Sequence, residues 1–123
     1  MKLHVLILDD FAYNLELEKK VIETFLKGHG RDVRIDLAKS VSEALEFLQK
    51  THYDAIIVDM NLPDGSGGAV AKSAKEIDPK TVTAALTLYR EEYENYKDYF
   101  DHFIKKPIPP ATYTKHFQWL LAL

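Results

Sequence analysis

The chain has 123 residues, about the size of one ordinary domain and too short for two full ones. Its 46% hydrophobic and 28% charged residues allow a core under a solvated surface, which excludes a disordered, collagenous or coiled-coil chain. Sixteen basic residues against nineteen acidic leave a net charge of −3, no bulk electrostatic footprint for nucleic acid. Cysteine is absent, so the chain has no disulfide, no Cys-based zinc site and no iron–sulfur cluster. No apolar run approaches the ~20 residues that cross a membrane. The apolar start meets Asp9-Asp10 too soon for a signal-peptide core. The expectation is one soluble cytoplasmic domain over residues 1–123, with no direct nucleic-acid or membrane partner.

Leu3 to Leu8 is a short Val/Ile/Leu-rich run that reads as a buried strand. From Phe11 to Leu26, Leu15, Ile22, Phe25 and Leu26 lie roughly on one helical face, and Gly28 and Gly30 end that helix. Val33 to Leu37 alternates, as an edge strand would. Ser40 and Glu43 have capping-box spacing, and Val41, Ala44, Leu45 and Leu48 form the clearest helical stripe in the chain. Ala55 to Val58 is a second apolar run ending in an aspartate, Asp59. A turn-rich loop over 61–68 follows, then a small-residue helix from about Gly68 to Ile77, stopped by Asp78-Pro79.

Val82 to Leu86 is a third apolar run, closed by Thr87. Tyr89 to Asp98 is polar and Tyr-rich, a short exposed helix. His102 to Lys105 is a short strand, and Pro109-Pro110 opens a last helix with the stripe Tyr113, Phe117, Leu120 and Leu121. Strand and helix thus alternate five times, which implies a parallel sheet covered on both faces. The three inner strands are continuously apolar, as strands buried on both faces are.

An open parallel sheet binds ligands beyond the carboxyl ends of its strands. Those ends carry Asp9 and Asp10, Asp59, Thr87 and Lys106. Each has an ordinary reading on its own: an N-cap or turn aspartate, a β-branched strand residue, a solvated lysine. Their joint placement on one rim is harder to explain so. Crowded carboxylates call for a cation, and Mg²⁺ takes hard oxygen ligands together with phosphate. A carboxylate attacking phosphorus forms an aspartyl-phosphate, whose oxygens need a metal, a hydroxyl and a lysine.

With these residues the chain resembles a response-regulator receiver domain, the phosphoacceptor module of two-component signalling. The resemblance spans essentially the whole chain. It rests on Leu6-Ile7-Leu8-Asp9-Asp10 with Asn14, on Ile57 to Gly67, on Leu86-Thr87 and on Lys105-Lys106-Pro107-Ile108. The stretch Asp59-Met60-Asn61-Leu62-Pro63-Asp64-Gly65 is close to the family's most recognisable segment. The resemblance implies a flavodoxin-like (βα)5 fold with strand order 2-1-3-4-5. It implies phosphorylation of Asp59 by a histidine kinase or phosphotransfer protein. Mg²⁺ would be held by Asp9, Asp10, Asp59 and the backbone carbonyl of Asn61. Thr87 and Lys106 would bind phosphoryl oxygens, Lys106-Pro107 would be cis, and Phe103 stands at the aromatic switch position. The module would be a switch and not an enzyme, reset by slow self-dephosphorylation.

Two features depart from that pattern. Leu88 and Tyr89 follow Thr87 where small residues are usual, so they would narrow access to the phosphoryl site. Tyr89, Tyr93 and Tyr96 have helical spacing, with Tyr99, Phe100 and Phe103 nearby. They either cover the sheet edge or form a face for a downstream protein or a second copy. Three other readings stand beside this one. A receiver-like interaction module that is never phosphorylated is kept open by Leu88 and Tyr89. A hydrolase with an aspartate nucleophile lacks its second acid, since the loop reads Asp59-Met60-Asn61. A flavin site is disfavoured because Asp9 and Asp10 would repel phosphate without a metal. His4, His29, His52, His102 and His116 are scattered and suggest no metal or phosphohistidine.

Overall fold

Apolar runs of five to seven residues set the frame, because each can satisfy its backbone only beside another strand. The computed structural model describes residues 2–88 and 90–123. Five parallel strands form one sheet: β1 (Lys2–Leu8), β2 (Asp32–Ala38), β3 (Ala55–Asp59), β4 (Val82–Thr87) and β5 (His102–Lys105). Their order is β2-β1-β3-β4-β5, the flavodoxin-like order anticipated from the sequence.

Period-two alternation sends successive side chains to opposite faces of this sheet and so builds two cores. Leu6, Leu8, Ile56, Val58 and Ala85 face α2 (Val41–Lys50) and α3 (Gly67–Ile77). Val5, Ile7, Ile57, Ala84 and Ile104 face α1 (Ala12–Gly28) and the C-terminal segment with Phe117 and Leu120. The inner strands are nearly all buried, which explains why they read as unbroken apolar runs.

Local chemistry sets the helix ends. Ser40 caps α2 by accepting from the Glu43 N–H at 3.1 Å. After α1, Gly30 takes a left-handed φ of 71°, while the Arg31 N–H returns to the Leu26 carbonyl at 2.9 Å.

Three segments differ from the sequence expectation. The 61–68 loop contains a small antiparallel hairpin, Asn61–Leu62 against Gly65–Ser66. The Tyr-rich helix shrinks to α4 (Arg90–Glu94) followed by one 3₁₀ turn at Lys97–Tyr99. Tyr93, Tyr96 and Tyr99 are half-buried against the α2–α3 core, so that segment is no solvated helix. The last helix runs instead as 3₁₀ turns, Pro110–Thr112 and Thr114–Ala122, though Phe117 and Leu120 pack inward as their spacing predicts. The expectations for Tyr89 lie outside the described residues.

Candidate functional site

Where β1 runs out of partners, the chain turns. The Asp9 N–H still bonds the Ala38 carbonyl at 3.1 Å, but its carboxylate already accepts the Phe11 N–H at 2.9 Å. That bond turns the chain into α1, on whose first turn Asn14 approaches the other Asp9 oxygen at 3.4 Å. Asp59 repeats the device at the end of β3, with Oδ1 accepting the Asn61 N–H at 3.1 Å. The hairpin then brings Gly67 against the Asp59 carbonyl, where a Cβ would fall 2.1 Å from the oxygen. Only glycine permits that approach, which lets α3 start directly beneath the site. Ser66 caps α3 by accepting the Gly68 N–H at 3.0 Å.

Lys106 arrives from β5. Its N–H bonds the Thr87 carbonyl at 2.9 Å, and the Lys106–Pro107 bond is cis. The ammonium lies 3.2 Å from Asp9 Oδ2 and 3.5 Å from Asp59 Oδ2. Asp9, Asp10 and Asp59 can each offer an oxygen within 4.8 Å of the others. Thr87 is buried at the end of β4, one residue beyond the Leu86 that pairs with Asp59.

The electrostatics follow from this crowding. Burial raises the Asp59 pKa above the ordinary carboxylate value, and Asp9 and Asp10 add to it, while Lys106 and the Asn61 N–H oppose it. Burial works against the Lys106 charge, but Asp59 and Asp9 outweigh it and hold the ammonium more firmly protonated than usual. Three carboxylates facing one ammonium suit a hard divalent cation, and their oxygens are close enough to share one.

The aromatic residues pack as a unit. The Tyr93 ring lies 4.6 Å from that of Phe103 and 5.9 Å from that of Phe100, measured between centroids. Tyr96 lies on Gly68 at the start of α3, and Tyr99 packs on the same core. Leu88 is 53% exposed and stands over a cavity beside Lys106.

Sequence reasoning missed Glu18. It occupies the buried stripe of α1 with Leu15, Ile22 and Leu26, yet it is an acid only 3% exposed. A charged residue at a core position of an otherwise regular stripe was the available signal. Burial, helped by Asp9 and Asp59 against Lys106, pushes its pKa from 4.5 to about 8.

A doubly wound sheet with carboxylates and a lysine gathered at its carboxyl rim is the arrangement of a signalling receiver module. Over residues 5–118 the chain matches the response regulator receiver domain model, and it belongs to that family, a signalling switch and not a conventional enzyme. Among curated relatives, response regulator PilR of Pseudomonas aeruginosa is 38% identical over 52 residues, covering 42% of this chain and 12% of that protein. Hybrid signal transduction histidine kinase L of Dictyostelium discoideum is 26% identical over 118 residues, covering 87% of this chain and 7% of that protein. The chain thus spans only a small part of the relatives it matches. A CheY-like receiver from Methylobacillus flagellatus superposes with a TM-score of 0.80 at 24% identity, covering 99% of this chain and 98% of that one. The Thermotoga maritima regulator TrrA, solved in complex with Mg²⁺-BeF, gives a TM-score of 0.75 at 24% identity over 96% of this chain and 98% of its own.

Proposed function

We propose that this chain is a cytoplasmic phosphorylation switch. A histidine kinase or phosphotransfer protein delivers a phosphoryl group to Asp59, and the result is read at the Phe103–Tyr93 surface. The observation that carries this reading is the convergence of Asp59 with Lys106, Asp9 and Asp10 at distances that suit one phosphoryl group and one cation.

Asp59 attacks phosphorus through a carboxylate oxygen as the donor's P–N bond breaks, and the electron pair leaves with nitrogen. Lys106 keeps Asp59 ionised against its burial and then pairs with the incoming oxygens. Asp9, Asp10, Asp59 and the Asn61 carbonyl would hold Mg²⁺, which supplies positive charge to the phosphoryl oxygens. Thr87 would donate its hydroxyl to another phosphoryl oxygen. Phe103 carries no hydroxyl, and its ring packs on that of Tyr93. Tyr93, Tyr96 and Tyr99 keep part of their surface exposed for a downstream protein or a second copy. Slow hydrolysis of the acyl phosphate resets the switch.

The test is intact mass after incubation with Mg²⁺ and a small phosphoramidate. A gain of one phosphoryl group, lost in Asp59→Asn and in metal-free protein, is expected. No gain in the wild type and none in Leu88→Ala would overturn the reading in favour of an interaction module that is never phosphorylated.

A further inference from the structure

Beside the carboxylate cluster, and not lined by it, lies a cavity of about 290 Å³. Its walls are Leu17, Leu86, Leu88, Ile108, Pro107 and Tyr113, with Asn14, Glu18 and Lys106 as the polar groups. Glu18 is the unusual member. It is 97% buried by its 3% exposure, and its Oε2 has no hydrogen-bond partner among the described residues. A buried polar atom left without a partner is costly, and native proteins seldom tolerate one without a use. An apolar recess with one convergent polar group is the usual form of a small-ligand site.

We propose that this cavity binds a fragment-sized organic cation, an amidinium or guanidinium with a short apolar body, whose N–H groups pair with the Glu18 carboxylate.

The choice of a cation follows from the surroundings. Burial disfavours a negative charge on Glu18 most, Asp9 and Asp59 add to it, and a cation placed beside Glu18 offsets that cost by pairing with its carboxylate. Lys106 opposes this from the cavity wall, although its ammonium lies against Asp9 at 3.2 Å and Asp59 at 3.5 Å. A planar amidinium can also present two parallel N–H donors to one carboxylate, satisfying Oε2 and its neighbour together. The neutral acid form of Glu18 would suit an uncharged amide, which is therefore the competing occupant. Tyr113, whose hydroxyl is held protonated by burial and by Glu18, is a further hydrogen-bonding group on the wall. Lys106 belongs to both the cavity and the carboxylate cluster, so an occupant would reach the group that Asp59 depends on. The proposal does not require that Asp59 be phosphorylated.

The experiment titrates the ¹⁵N-labelled full chain, held just above pH 8 where Glu18 ionises, with benzamidine and, separately, with its neutral counterpart benzamide. Saturable shifts at Leu17, Leu86 and Ile108 are expected, with benzamidine the tighter ligand by roughly tenfold, the worth of one charge-assisted hydrogen bond. Glu18→Gln should erase that preference while leaving benzamide within about twofold, since the amide side chain keeps the volume but not the charge. Leu17→Trp, at a position 41% exposed, should block both probes without disturbing the core. N-acetyl-arginine amide binding more tightly than benzamidine would assign the site to an arginine side chain, and weaker binding would assign it to a free small cation. Equal affinity for benzamide, no saturable shift at the three reporters, or binding unchanged in Glu18→Gln would each overturn the proposal. Shifts centred on Asp10 and Asn61 that survive Glu18→Gln would do the same, by placing the cation on the carboxylate cluster instead.

Discussion

Tyr96 lies so closely on Gly68 that a Cβ at residue 68 would fall 2.1 Å from the Tyr96 Cγ. The contact joins the second residue of α3, just after the Asp59 loop, to the segment between α4 and β5. Shape therefore helps to tie the candidate site to the Tyr-rich surface.

Gly68→Ala tests that joint. Helix propensity alone would favour alanine by up to about 1 kcal/mol. The clash involves ring carbons close to the Tyr96 backbone, so the ring cannot simply swing away, and overpacking should cost roughly 1–3 kcal/mol. We expect a net loss in denaturant unfolding that Tyr96→Ala largely relieves in the double variant. Additive losses from the two changes would contradict the contact.

Glu18 makes stability fall with rising pH. Its folded pKa is about 8 against 4.5 when exposed, so between those values the native state holds a proton that the unfolded chain has released. The contribution is complete below about pH 4.5 and lost as pH climbs through about 8. At about 1.4 kcal/mol per unit, roughly 5 kcal/mol is at stake in metal-free protein. Glu18→Gln should flatten this slope in urea titrations run from acid to mildly alkaline pH. A slope equal to that of the wild type would show that Glu18 is not the group responsible.

Removing the ammonium isolates the acids. In Lys106→Met, Asp59 loses the neighbour that most opposes its burial, so its carboxyl should titrate at higher pH by carboxyl-detected NMR. The variant should also accept phosphoryl groups much more slowly from a small phosphoramidate. An Asp59 titration that stays in place would mean the 3.5 Å pairing has little influence on it.

Asp64 reaches out of the hairpin to accept the Val41 N–H at 2.9 Å and the Ser42 N–H at 3.1 Å. These bonds hold its carboxyl below the usual range. Asp64→Ala should lower the melting temperature at neutral pH, with the difference shrinking as acid protonates the wild-type carboxylate. Faster amide exchange at Val41 and Ser42 is the local readout.

Leu88 stands over the cavity next to Lys106. If it slows the approach of water, Leu88→Ala should lose its acyl phosphate severalfold faster than wild type. Equal decay rates would remove Leu88 from that role.

The sheet was legible because its signal is local. Unbroken Val/Ile/Leu runs, the Ser40–Glu43 cap and the turn-rich stretch after Asp59 each declare themselves within a few residues. The rim residues were legible for the same reason, since each ends a run. Asp64 was not, because its partners lie 23 and 22 residues away and no spacing rule connects them. That the tyrosines could cover the sheet edge was legible, but the seat of Tyr96 was not: it depends on the room left by a missing side chain at Gly68. Glu18 was overlooked because a helical stripe is read from its apolar members, and the exception within it passes as an exposed acid.

The strand order leaves β2 and β5 with unpaired outer edges, where another chain could add a strand. β2 meets that hazard with charge: Asp32, Arg34 and Asp36 alternate along it, with Arg34 3.5 Å from Asp36. β5 meets it with brevity, offering only four residues. Both borders are thus poor templates for cross-strand growth, which leaves the helical faces as the surface where an encounter can be reversed without tearing a continuous ladder.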